Sequence, residues 1–116
     1  MGNHSTELGL FLQPVHRSEK AWGIALQEDR DTVLLAEQLG FSEVWIGEHY
    51  STKAEQIPAP LMFLATLIQD TTSIRFGTGV INLPYHDPVV VAAEVAQFDQ
   101  LSGGRMIFCL LYTSPS

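Results

Sequence analysis

The sequence predicts an α/β fold with a parallel sheet, on three observations. Four short, largely apolar runs, Leu8–Leu12, Val44–Gly47, Ile74–Leu83 and Arg105–Phe108, read as strands. The segments between them carry apolar residues at helical spacing. The strand openings, near Glu7, Glu43, Ile74 and Arg105, stand 36, 31 and 31 residues apart. That is the period of βα units joined by right-handed crossovers. Two architectures satisfy it, a doubly wound open sheet and a (β/α)8 barrel, and periodicity does not separate them. No G-x-G-x-x-G follows the first strand and no Walker A motif is present, which weakens a nucleotide-fold reading.

Each element has a local cause. Leu8–Leu12 is continuously apolar and Pro14 follows, the pattern of a strand buried on both faces. Residues 14–23 form a polar loop. A helix is predicted over Ile24–Leu39, where Val33, Leu35, Ala36 and Leu39 fall at helical spacing. Its acidic start, Glu28, Asp29 and Asp31, suits the positive end of the helix dipole, and Gly40 stands where a left-handed cap belongs. The second strand runs into Glu48-His49-Tyr50. After a loop to Pro60, Leu61, Leu64, Ala65 and Ile68 share one face of a helix predicted over Leu61–Gln69. Gly77 and Gly79 inside the third strand signal a bulge or a close backbone approach. Asp87-Pro88 is a cap followed by proline at the first helical position. That third helix is predicted to run to about Leu101, ahead of Ser102-Gly103-Gly104.

Composition narrows the function classes. The chain has 116 residues, 46% hydrophobic and 16% charged, which excludes a disordered chain. Six basic residues against thirteen acidic ones give a net charge of −7. That is the wrong sign for a nucleic-acid groove or an anionic membrane surface. The single cysteine, Cys109, allows no disulfide within the chain and points to a reducing compartment. Met1 to Glu7 is polar and unlike a signal peptide, and no apolar run approaches the ~20 residues of a membrane span. A cytoplasmic protein with no nucleic-acid and no membrane partner is the expectation.

In either parallel architecture, chemistry sits beyond the C-terminal ends of the strands. Three groups fall there: Gln13 with His16-Arg17, Glu48-His49-Tyr50, and Asn82 with Tyr85-His86-Asp87. Histidine titrates near neutrality and serves as acid, base or hydrogen-bond donor. Position alone leaves His49 open between that work and a hydrogen-bonded loop residue. Glu48 would orient His49, bind substrate or simply end its strand. His16 and His86 read as solvated loop residues, the acidic cluster as a solvated helix start. Trp22, Trp45, Met62, Phe63 and Leu67 read as packing residues. No H-x-x-x-H or C-x-x-C spacing exists, so no metal site is expected. Thr78-Gly79-Val80 is either tight packing or a bulge facing a planar cofactor.

Three stretches, LGFSEVWIGEHY at 39–50, IRFGTGVINLPYHDP at 74–88 and FDQLSGGRMIF at 98–108, together resemble the luciferase-like flavin-dependent monooxygenases. GLFLQPVH and LPYHDP are most similar to the limonene-monooxygenase-like branch. The resemblance spans residues 7–108 and implies the barrel: the N-terminal portion of a (β/α)8 TIM barrel, a truncated β-α-β-α-β-α-β segment. It also implies reduced flavin (FMN) at the C-terminal mouth, used with O2 to oxidise a small organic substrate. A flavin reductase and a homo-oligomeric full-length protein belong to the same implication. The alternatives are a hydride-transferring oxidoreductase dependent on the deazaflavin F420, and a non-catalytic flavin-binding protein of the same fold. His49 matches the family's catalytic histidine, in an acid/base or intermediate-stabilising role, and Glu48 the glutamate beside it. Gly79-Val80 matches the pair that bulges against the flavin ring, joined by a cis peptide in several members. Thr78 and Asn82 flank it as the remaining candidate cofactor-binding residues.

Residues 1–108 are therefore expected to be the N-terminal part of a luciferase-like TIM-barrel domain. Beyond Phe108 the family continues with a glycine-containing turn, whereas this chain reads Cys109-Leu110-Leu111-Tyr112-Thr113-Ser114-Pro115-Ser116. That string resembles one reading frame of a transposon-end adaptor, so residues 109–116 are expected to be non-native. The family's phosphate-binding residues come largely from later strands. The segment alone is expected to be inactive, to bind flavin poorly and to expose sheet edges and apolar helix faces.

Overall fold

A computed structural model of the chain describes residues 6–50 and 52–111. The polar residues 1–5 and the tail residues 112–116 considered above lie outside them. In chain order the elements are β1 (Gly9–Leu12), α1 (Trp22–Gln38), β2 (Glu43–Ile46), α2 (Pro60–Ala65), β3 (Arg75–Thr78) and β4 (Ile81–Asn82). A 3-10 turn (Leu83–Tyr85), α3 (Pro88–Leu101), β5 (Met106–Ile107) and β6 (Leu110–Leu111) follow. β1, β2, β3 and β5 make one parallel sheet in that spatial order, and β4 pairs with β6. Spatial order follows chain order without reversal. A doubly wound sheet reverses at its switch point and a barrel does not, so this is a barrel wall.

Strand residues alternate between two faces. Leu12, Val44, Ile46 and Phe76 join Val33, Ala36, Phe63, Leu64, Leu67 and Phe98 in one core, so this face carries the helices. Full burial of one such side chain contributes about 1.5–3 kcal/mol. The opposite face belongs to the barrel interior, and the register aligns Phe11, Trp45, Gly77 and Ile107 along it. Phe11 is 53% exposed. The reading of the first strand as buried on both faces is therefore corrected: β1 is an edge strand, paired on one side only.

α1 starts at Trp22, earlier than predicted, and its first turn holds no acidic residue. The acidic cluster is thus not a dipole-favoured start. Asp29 is 4% exposed and shares the buried stripe with Ala25, Val33 and Ala36, while Leu35 and Leu39 are exposed. The helix ends as read: Gly40 has φ 92°, its N–H reaches Glu37 O, and Phe41 N–H reaches Ala36 O. Those two bonds form a Schellman cap. The same pair of bonds closes α3, from Gly103 to Gln100 O and from Gly104 to Asp99 O. At its other end Asp87 Oδ1 accepts the Val89 N–H at 2.9 Å, with Pro88 as first residue.

α2 stops at Ala65, short of the predicted Gln69. The Thr66 hydroxyl donates to Phe63 O at 2.7 Å, and the chain tightens into i to i+3 bonds from Thr66 to Asp70. Phe63, Leu64, Leu67 and Ile68 are buried, whereas Met62 is 75% exposed and is not a packing residue here. Trp22 is also exposed, its indole N–H donating to Gln56 O at 2.9 Å. The third strand, predicted as one run with a bulge or close approach at its glycines, divides between Thr78 and Ile81, and the Gly79–Val80 peptide is cis. The Thr78 hydroxyl bridges the break, donating to Cys109 O and accepting from Cys109 N–H at 2.8 and 2.9 Å.

The N-terminal end of the sheet is closed by two charged side chains, Glu37 and Arg105. Glu37 accepts the backbone N–H groups of Thr72, Ser73 and Ile74 at 2.9–3.0 Å. Burial pushes its carboxyl up, but those donors and Arg105 outweigh burial and hold it below its ordinary 4.5. Arg105 in turn donates to Ile68 O, Thr71 Oγ1 and Ser102 O and lies 5.0 Å over the Phe76 ring. Glu37→Gln is expected to cost about 1 kcal/mol at neutral pH, the carboxylate being partly open to solvent. A carboxyl held low in the folded state stabilises fully above its unfolded value of 4.5, and loses that as pH falls through the folded value. Urea melts at neutral and acid pH check this: the gap between wild type and variant should narrow in acid. No helix among the described residues is long and apolar enough to cross a membrane.

Candidate functional site

The C-terminal ends of β2 and β3 meet around one residue, Gly47. Gly79 N–H donates to Ile46 O at 2.9 Å, and Glu48 N–H donates to Val80 O at 3.3 Å. The Gly79–Val80 pair is thus tied to both neighbours of Gly47. A Cβ at position 47 would stand 2.6 Å from the Gly79 carbonyl oxygen and 3.1 Å from His49 Nε2. Only a residue without a side chain permits that approach. Below it, the Trp45 indole occupies the place a Cβ on Gly77 would take, and Phe11 covers the same place on Gly79. Two aromatic rings therefore lie against β3 on the interior face.

Glu48 and His49 part company here. His49 goes to the interior side, against Gly47, with its Nδ1 3.5 Å from Glu55 Oε2. Its side chain is 39% exposed and borders a cavity of about 420 Å³ shared with Lys53, Glu55 and Gln56. Glu48 turns to the helix side, where its side chain is 1% exposed. Its Oε1 accepts the Asn82 N–H at 3.0 Å, and its Oε2 lies 2.7 Å from His86 Nε2. Its carbonyl accepts from Asn82 Nδ2 at 3.3 Å. The Glu48 carboxylate is bonded to Asn82 and His86 and not to His49, because alternation sends adjacent residues to opposite faces.

His86 is likewise no solvated loop residue, since it is bound to Glu48 and lies 3.3 Å from the Tyr50 hydroxyl. Burial, with the Glu48 charge beside it, pushes the Tyr50 phenol up to about 12. His16 is also half-buried against α1, its Nε2 2.8 Å from Asp29 Oδ1. Burial pushes the Asp29 carboxyl up, and the His16 bond offsets part of that. The same loop is pinned to the next one, because His16 N–H donates to Ala54 O and Val15 forms a bridge with Glu55.

Of the residues singled out by sequence, the fold gathers His49, Gly79 and Val80. Thr78 lies beside them with its hydroxyl engaged by Cys109, and Asn82 with its N–H and Nδ2 engaged by Glu48. Sequence reasoning passed over Glu55 and read His86 as a solvated loop residue. For His86 a signal existed: Pro84 opens the 3-10 turn Leu83–Tyr85, which carries the following residue back toward β2. Among the described residues, no three His, Cys, Asp or Glu side chains converge as metal ligands. The arrangement pairs a titratable imidazole with an aromatic, side-chain-poor floor. That suits a planar ring and a proton to be moved or held beside it.

The family model described as luciferase-like monooxygenase matches residues 6–111. The chain is 43% identical over 102 residues to limonene 1,2-monooxygenase of Rhodococcus erythropolis, covering 88% of this chain and 26% of that protein. It spans about a quarter of the length of that curated relative. The oxygenating constituent of 3,6-diketocamphane monooxygenase from Pseudomonas putida, solved in complex with FMN, shares the fold. Its TM-score is 0.89 at 23% identity, over 96% of this chain and 30% of that one. The coenzyme F420 dependent tetrahydromethanopterin reductase of Methanopyrus kandleri matches with a TM-score of 0.68 at 25% identity, over 90% and 26%.

Proposed function

Since the chain belongs to the luciferase-like monooxygenase family, we propose that it forms the first four strands of a flavin-dependent monooxygenase that oxidises a small organic substrate with O2. The observation that carries this reading is His49, held at the barrel mouth against Gly47 and beside the Gly79 carbonyl. Reduced FMN is the proposed cofactor, delivered by a flavin reductase, and it would supply the reaction with dioxygen. Phe11, Trp45 and the backbone at Gly79 and Val80 would hold its ring. His49 would hold or pass a proton at Nε2, with the Glu55 carboxylate facing Nδ1. Thr78, whose hydroxyl is engaged by Cys109, would serve by shaping the strand break, and Asn82 would do so through its N–H and Nδ2. Phosphate contacts are assigned to later strands of the longer protein.

A second reading is hydride transfer with F420, favoured by the likeness to the reductase of that type. The two separate in one experiment on the full-length protein. Substrate-dependent oxygen uptake with reduced FMN supports the monooxygenase. Oxidation of reduced F420 by substrate without oxygen uptake overturns it. Flavin binding without either turnover would leave a binding protein. Residues 109–116 are proposed to be foreign to the gene, and resequencing across position 108 decides that; genomic sequence encoding the same eight residues there would refute it.

A further inference from the structure

We propose that His86 is a positioning residue of this site: through its bond to Glu48 it fixes the segment Val80–Asn82 against the end of β2. The inference rests on the monooxygenase reading only where flavin binding is concerned. Glu48 is joined to that segment at three points, by its N–H to Val80 O, its carbonyl to Asn82 Nδ2 and its Oε1 to Asn82 N–H. All three require the Glu48 side chain and backbone to stay where they are. The side chain is 1% exposed, and a buried carboxylate without sufficient donors is costly. Oε1 has the Asn82 peptide, and Oε2 has the His86 ring at 2.7 Å.

His86 is itself held in place. It follows the 3-10 turn Leu83–Tyr85, its N–H donates to Leu83 O at 2.9 Å, and Asp87 then caps α3. The Tyr50 hydroxyl stands 3.3 Å from Nε2, and the Tyr50 ring packs edge-on against Tyr85 at 5.6 Å. The rigid start of α3 is thereby connected through one imidazole to the carboxylate that anchors the strand break. Removing the imidazole leaves Oε2 buried with its principal donor gone. Glu48 then gains by swinging toward water, and that change releases Asn82.

Amide hydrogen exchange in the full-length, flavin-free protein tests this. His86→Leu is expected to speed exchange at Glu48 and Asn82 roughly tenfold or more, and to leave Val44 and Phe76 within about twofold. His86→Gln keeps an N–H donor and is expected to restore most of the protection, a rescue that loss of bulk alone would not predict. FMN binding, followed by flavin fluorescence, is expected to weaken about tenfold in the leucine variant and to recover in the glutamine one. Unchanged exchange at Glu48 and Asn82 overturns the inference whatever FMN does. Faster exchange in a protein that binds no FMN upholds it and sinks the flavin reading instead. Should His86→Leu fail to fold, the imidazole nitrogen spectrum of the wild type decides. A protonated, slowly exchanging Nε2–H supports the bond to Glu48, and an unprotonated Nε2 overturns it.

Discussion

Replacing His49 by alanine in the full-length protein is expected to lower substrate oxidation by about 10²–10⁴-fold, the usual worth of a positioned acid or base. FMN affinity is expected to stay within about threefold, because aromatic and backbone surfaces, not the imidazole, hold the ring in this reading. His49 packs on Gly47 and is joined to the fold by its own N–H to Ile57 O and by the Glu55 carboxylate. It bears no part of the core, so stability should change little. Steady-state turnover, a flavin titration and a thermal melt on the same preparation separate the effects. Unaltered turnover would remove His49 from the chemistry. A lost melt would show instead that the ring supports the strand ends.

Gly47→Ala should produce the largest structural effect. The added methyl would meet a backbone oxygen, Gly79 O, at 2.6 Å, and that atom has no rotamer by which to withdraw. β2 and the strand break must separate, which strains the Gly79 N–H to Ile46 O bond and the Glu48 N–H to Val80 O bond together. Overpacking of this kind costs about 1–3 kcal/mol, and each weakened hydrogen bond adds about 1. Gly23→Ala is the control, since a Cβ there meets nothing within 4 Å and the position is helical. It should be neutral or stabilising by up to about 1 kcal/mol. Equilibrium denaturation of both variants checks the opposite signs. A Gly47→Ala protein as stable as wild type would mean that the strand ends are not tightly apposed.

What was legible in the sequence is what local chemistry decides. Asp87-Pro88 and Ser102-Gly103-Gly104 bound α3 because cap and Schellman geometry are local. Gly40 ended α1 for the same reason. The strand period was visible, and so was the disturbance at Gly79. The choice of barrel over open sheet came from the family resemblance and not from the period, because strand order is a property of the assembled sheet. The misread residues share one cause. Asp29 and His16 lie 13 positions apart and Glu48 and His86 lie 38 apart, so each looked like an unpaired polar side chain. Glu48 and His49 misled in the opposite way. They are neighbours in sequence, and the alternation of a strand sends neighbours apart.

The pinning of the first loop has a consequence for how such a mouth can be altered. His16 is locked to α1 by Asp29, and the same stretch of chain grips Ala54 and Glu55 through its backbone. The two loops therefore move as one plate anchored on α1, whose first residue, Trp22, also borders the mouth and donates to Gln56 O. A change at Asp29, on that helix, would be transmitted to the carboxylate facing His49. Substitutions in either loop would need matching ones in the other to be tolerated. A library meant to retune this mouth should therefore randomise residues 13–17 and 52–57 as a single cassette, with Asp29 held constant.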